Sequence, residues 1–196
     1  MKKIFLTLTI LILTFSTQIV ADTSNSIQRI YEGNKDAKVT IITYESFTCS
    51  HCADFHKDVY PQLKKEFIDA GLVKIEFRHF PLDMAAFNAS KIAQCKNNGK
   101  SYILHFLYES QKEWAKGNTI EKINNNLKNL INSKNFGIDF EKCTNNKNIE
   151  DYVLNDRIEG VKKFKVNATP TIIINNKKFD KTLNYKNLKK SIEKLI

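Results

Sequence analysis

Hydrophobic and polar residues fall in blocks that read as strand, helix, strand, a long helical stretch, and then strands and a last helix. After a polar lead from Asp22 to Lys38, Val39-Thr40-Ile41-Ile42-Thr43-Tyr44 is a β-branched and aromatic run, the pattern of a buried strand. Phe55, Val59, Leu63 and Phe67 then recur at four-residue spacing, which puts them on one face of a helix, with Gly71 just past its end as a stop. Pro61 lies inside that pattern and predicts a kink. Leu72 to Phe77 is a second strand, closed by Phe80-Pro81-Leu82, and strand, helix and strand at this spacing make a βαβ unit.

From Asp83 to about Arg157 the periodicity is helical throughout, with helices predicted over Met84 to Asn97, Ser101 to Trp114 and Ile120 to Ile131. Thr171-Ile172-Ile173-Ile174 returns to strand character, Asn175-Asn176 offers a tight turn, and Lys178-Phe179-Asp180 pairs back as a hairpin. Tyr185 to Ile196 reads as an amphipathic helix with Leu188, Ile192 and Leu195 inward and Lys189, Lys190 and Lys194 outward. The fold class is therefore α/β, with a helical block set into it. The expected division is a first α/β part over 22–82, a helical insertion over 83–158 and a second α/β part over 159–196.

The first 21 residues are of another kind. Met1-Lys2-Lys3 is a basic start, Ile4 to Phe15 an apolar run, and Ser16 to Ala21 a more polar stretch ending in a small residue. That is the three-part pattern of a secretory signal, too short in its apolar part for a comfortable membrane span, with cleavage expected after Ala21. An uncleaved anchor is the less favoured alternative. Export would bring the chain to an oxidising compartment, where its four cysteines can pair.

Composition narrows the function classes. The 196 residues carry a formal charge of +10, and loss of Lys2 and Lys3 leaves 29 basic against 21 acidic side chains, or +8. Residues 22–158 carry only +1 of this and residues 159–196 carry +7, with Lys162, Lys163 and Lys165 close together. A solvated lysine-rich face is the preferred reading; a sharper one is a weak attraction to acidic unfolded chains or an anionic membrane surface. With three arginines, no arginine cluster and no nucleic-acid module, nucleic acid is not an expected partner.

The chemistry concentrates at Cys49-Ser50-His51-Cys52, where the first strand passes into the first helix. Unpaired N–H groups at a helix start favour a thiolate, which would lower the Cys49 pKa, and His51 between the sulfurs can add a cationic or hydrogen-bonding partner. Stabilising the thiolate stabilises the reduced form and makes the disulfide a strong oxidant. The competing readings of the motif are a structural disulfide and part of a metal site using Cys49, His51 and Cys52, for which no fourth ligand or matching pair is evident. Neither a metal nor a cofactor is expected.

The sequence resembles the thioredoxin-fold disulfide oxidoreductases of the DsbA family from about Gly33 onward. The resemblance is carried by Val39 through Cys52, Phe77-Arg78-His79-Phe80-Pro81-Leu82, Ala93-Gln94-Cys95 with Gly99-Lys100, and Phe164 through Asn175. It implies a thioredoxin fold interrupted by an inserted helical subdomain, with a cis Thr169-Pro170 bond lying against the cysteine pair and Thr169 offering its backbone to an extended substrate. Without it, Pro170 would read as a strand-entry proline. Ser50 stands where many members carry proline. Cys95 and Cys143, both in the helical block, are taken as a structural disulfide that closes a 48-residue loop and contributes about 4 kcal/mol in the chain-entropy model.

Glu45 could relay the proton of Cys52, against the commoner fate of a solvated surface carboxylate. His79 is read as structural. The activity implied is a periplasmic oxidase that introduces disulfides into unfolded or partly folded exported proteins with free thiols and is reoxidised by a DsbB-like membrane partner. The alternatives are an isomerase or reductase of the same fold kept reduced in the periplasm and, behind both, a metal-binding module.

Overall fold

The computed structural model describes residues 27–196, so the signal segment and its cleavage point after Ala21 lie outside the described residues. The strands are β1 (Tyr31–Glu32), β2 (Val39–Glu45), β3 (Val73–His79), β4 (Thr171–Ile174) and β5 (Lys177–Lys178), in the order β1-β3-β2-β4-β5. β2 and β3 run parallel, from Val39 opposite Val73 to Glu45 opposite His79, and the other pairings are antiparallel. β1 was not expected from the polar lead. It pairs Tyr31 with Glu76 at the sheet edge, where two residues suffice and no apolar run is needed.

β2 is buried on both faces because each face has its own cover. Val39 and Ile41 join Ile75, Phe77 and most of the helical apolar side chains in the main core, while Ile42 and Tyr44 join Phe80, Phe164, Val166 and Ile173 in a second cluster. Along β3, Val73, Ile75, Phe77 and His79 are buried and Lys74, Glu76 and Arg78 half-buried, the period-two pattern of a strand with one apolar face.

The helical run after β2 comprises α1 (Ser50–Asp54), a π-helical stretch (Phe55–Val59), α2 (Tyr60–Leu63) and a second π-helical stretch (Lys64–Ile68). The effect expected of Pro61 thus takes the form of wide turns on both sides of α2: proline has no N–H to offer the carbonyl of Lys57, so the ladder is re-spaced.

Helices α3 (Met84–Gln94), α4 (Tyr102–Glu109), α5 (Gln111–Trp114), α6 (Ile120–Ser133), α7 (Phe140–Thr144) and α8 (Lys147–Phe164) lie between β3 and β4, and α9 (Tyr185–Ile192) follows β5. Side chains cap five of them: Asp83, Thr119, Asp139, Asn146 and Asn184 each accept from an N–H in the first turn. The helix expected from Ser101 to Trp114 is broken at Ser110, and α9 stops at Ile192, leaving Leu195 exposed rather than inward.

α8 passes through the division expected between 158 and 159 and ends at Lys165, whose left-handed backbone (φ 54°) lets the Val166 N–H bond Gly160. A polar layer ties α8 to the sheet. Buried Asp156 takes Arg29 at 2.8 Å and the backbone N–H of His79 at 3.1 Å, and Arg78 bonds Glu76 and Glu159 at 2.7 Å each. The helix that leads toward Thr169-Pro170 is thereby held against β3, the parallel neighbour of the strand that runs on to the cysteines.

At Gly160, α8 packs directly on Tyr44 of β2: a Cβ built there would sit 2.8 Å from the Tyr44 ring, which is itself packed between Phe80 and Phe164. Overpacking costs about 1–3 kcal/mol, and the gain of about 1 kcal/mol in helix propensity does not offset it. Gly160→Ala should therefore lower stability by up to about 2 kcal/mol in urea unfolding. A variant as stable as the parent would show that Tyr44 can move aside.

Candidate active site

Cys49 and Cys52 are unbonded, and the fold treats them differently. Cys49 sits at the cap position of α1 with extended backbone (φ −78°, ψ 119°), half-buried, while Cys52 is fully buried one turn on. Hydrogen bonding from the Cys52 thiol draws the Cys49 pKa down to about 5; burial opposes this, and the otherwise unpartnered Thr169 hydroxyl and the N–H groups of Cys52 and His51 add to it. Burial pushes Cys52 far above the ordinary thiol range, helped by the hydrogen bond its thiol donates to Cys49 and by the nearby charge of Glu45.

The Thr169-Pro170 peptide is cis, and as a thiol Cys49 donates to the Thr169 carbonyl at 3.3 Å across 120 residues of sequence. Thr169 thus meets Cys49, and with Pro170 it lines a cavity of about 480 Å³ whose walls also include His51, Asp54, Asp58 and Leu183. His51 approaches the thiolate through its backbone. Its ring is 82% exposed and lies 3.7 Å from Asp54, so the side-chain contact expected from its place between the sulfurs is absent in this conformation. That orientation also leaves Cys49, His51 and Cys52 unassembled as ligands, and no group of three or more metal-binding side chains occurs among the described residues.

Two features of the site escaped the motif. Gln111, at the break between α4 and α5, donates to the carbonyls of Phe47 at 2.8 Å and Cys49 at 2.9 Å, fixing the loop that presents the thiol. Nothing local in the sequence marks it. Glu45, at the end of β2, is 3% exposed and not a solvated surface group: its Oε2 meets His56 Nε2 at 2.8 Å, and its Oε1 has no hydrogen-bond partner. Here the commoner expectation fails because the neighbouring helix brings an imidazole to the strand end.

The remaining residues stand apart. His79 is buried, its ring bonded to Gln94 at 3.2 Å, and burial lowers its pKa, consistent with a structural part. Cys95 and Cys143 form a disulfide that links the end of α3 to α7, with their Cα atoms 5.4 Å apart. Lys162, Lys163 and Lys165 are exposed at the end of α8, just before the cis loop.

The thioredoxin family model matches residues 25–194. Disulfide bond formation protein D of Bacillus subtilis is 29% identical over 180 residues, covering 83% of this chain and 74% of that protein. A Rickettsia bellii protein provisionally named a protein-disulfide oxidoreductase is 27% identical over 148 residues; the match covers 73% of this chain but only 55% of that longer protein. Among solved structures, alpha-DsbA1 of Wolbachia pipientis superposes with a TM-score of 0.76 at 28% identity, covering 85% of this chain and 90% of its own. The shared architecture is a thioredoxin fold carrying an inserted helical subdomain.

Proposed function

Because this chain belongs to the thioredoxin family, in its DsbA branch, we propose that it is an exported thiol-disulfide oxidoreductase that acts as an oxidase in the periplasm. The observation that carries the reading is the asymmetry of the pair, an accessible Cys49 held to about 5 beside a buried Cys52 held far above the thiol range. A low-pKa Cys49 stabilises the reduced form, and a stabilised reduced form makes the Cys49-Cys52 disulfide oxidising.

In the reaction a substrate thiolate attacks Cys49 Sγ, the Cys49-Cys52 bond breaks, and Cys52 leaves with the electron pair and takes a proton. A second substrate thiolate attacks the substrate sulfur of the mixed disulfide, and Cys49 leaves as a thiolate. Two electrons pass from the substrate dithiol to the enzyme; of its two protons one is balanced by that on Cys52 and the other goes to solvent. Thr169 and Pro170 line the cavity in which an extended peptide would lie beside Cys49. The substrates are exported chains with free thiols, and a DsbB-like membrane partner would accept the electrons. No helix among the described residues is long and apolar enough to cross a membrane.

Thiol trapping in the native compartment tests the direction of electron flow. A mostly oxidised Cys49-Cys52 pair supports the oxidase, whereas a mostly reduced one overturns it in favour of an isomerase or reductase.

A further inference from the structure

Glu45 is the first member of a longer chain. His56 Nε2 meets Glu45 Oε2 at 2.8 Å, His56 Nδ1 meets His105 Nδ1 at 3.2 Å, and His105 Nε2 meets Glu32 Oε1 at 2.7 Å. These three hydrogen bonds in series use all four ring nitrogens and join β2, the helical run after it, α4 and β1. The first ring is held flat against Tyr108, with centroids 4.0 Å apart, and the second against Tyr60 at 4.5 Å. Glu32 lines a polar cavity of about 360 Å³ with Lys64, Asp69 and Ser101, and that cavity shares no lining residue with the one at Pro170.

We propose that His56, His105 and Glu32 form a proton path that supplies Cys52 through Glu45 from this second cavity, independently of the face that substrate covers. The inference rests on the exchange chemistry proposed above and extends it beyond Glu45. When Cys52 leaves as a thiolate beneath a bound peptide, its proton must come from within the protein. If each of the three hydrogen bonds holds one proton, a single shift of all three takes a proton from Glu32 and places one on Glu45 Oε2, both rings being neutral before and after. A half-turn of the Glu45 carboxyl brings that proton to the side with no protein partner, now held by Oε1, from which it passes to Cys52. The proton that Glu32 gives up comes from solvent in its cavity as the shift begins, which leaves Glu32 the anion again, and when Cys52 returns to the disulfide the shift reverses.

The groups around the path fit this direction. Glu32 accepts from Tyr60 at 2.5 Å and from Ser101, and Lys64 lies 4.0 Å away. Burial would raise the Glu32 pKa, but hydrogen bonds from His105, Ser101 and Tyr60 outweigh it and bring it to about 2, so Glu32 is the anion before and after each transfer and holds a proton only in passing from solvent to the shift. On the other side, Glu45 is faced by His56, Cys52 and Tyr108.

The test is reduction of the oxidised protein by dithiothreitol, a half-reaction that needs protonation of Cys52 whichever way electrons flow in the cell. His105→Ala should slow it about tenfold, less than the roughly hundredfold or more that a directly acting proton donor supplies because Glu45 itself remains, and flatten its pH profile. Added imidazole should restore the variant's rate and leave the parent's unchanged. A parent-like rate, or a slowed rate indifferent to imidazole and with the parent's pH profile, overturns the path. Should His105→Ala fail to fold, Glu32→Gln is read instead: slowing with a flattened pH profile supports the path, and either the parent's rate or the parent's profile overturns it. If the parent itself forms no Cys49-Cys52 disulfide, the exchange reading fails instead.

Discussion

Cys49→Ser should reduce oxidation of a dithiol peptide to the rate in buffer alone, while Cys52→Ser should accumulate mixed disulfides through Cys49. The difference follows from exposure and charge. Cys49 is reachable, and with a pKa of about 5 it is about 99% thiolate at pH 7, against about 3% for an ordinary cysteine. Cys52 is fully buried and held protonated, so it resolves an intermediate but cannot begin one. The control is removal of the other pair. Cys95→Ser with Cys143→Ser should cost up to about 4 kcal/mol of stability in the chain-entropy model and leave peptide oxidation largely intact, since that disulfide joins α3 to α7 away from the thiols. Turnover by Cys49→Ser, measured by mass as loss of two hydrogens from the peptide, would sink the mechanism.

How far these features were legible beforehand depends on the range of the interaction that makes them. The run Val39 to Tyr44, the strand Thr171 to Ile174 and the Cys49-Cys52 spacing are local patterns, and the structure carries them as strands and as a strand-to-helix junction. The contact of Cys49 with Thr169 is long-range, and only the family resemblance pointed to it. Glu45 shows the limit. A carboxylate is usually solvated, and its burial here depends on His56 eleven residues away, which in turn leans on His105, 49 residues further along. No periodicity encodes such a chain. Gln111 and β1 were missed for the same reason: each is defined by the backbone groups it meets, not by its neighbours in sequence.

Between about pH 5 and pH 8.5 the reduced protein should gain stability relative to its oxidised form as pH rises. Cys49 is an acid whose pKa falls from about 8.5 in an unfolded chain to about 5 in the fold, so its contribution is absent below pH 5 and complete above pH 8.5. The oxidised protein has no such group, and carboxylates common to both forms cancel in the comparison. Cys52 acts in the opposite sense, because its folded pKa is raised; it begins to oppose the gain only when the unfolded thiol ionises, above about pH 8.5. At pH 7 the two units between pH and pKa correspond to about 2.7 kcal/mol, and the half-exposed position of Cys49 discounts this to about 1–2 kcal/mol. By the thermodynamic cycle linking folding to reduction, the same energy appears as oxidising power, about 20–45 mV for a two-electron couple. Urea unfolding of both redox forms across this range measures it directly. A reduced-minus-oxidised difference flat with pH would mean that Cys49 is not held as a thiolate, and the basis for reading the protein as an oxidase would go with it.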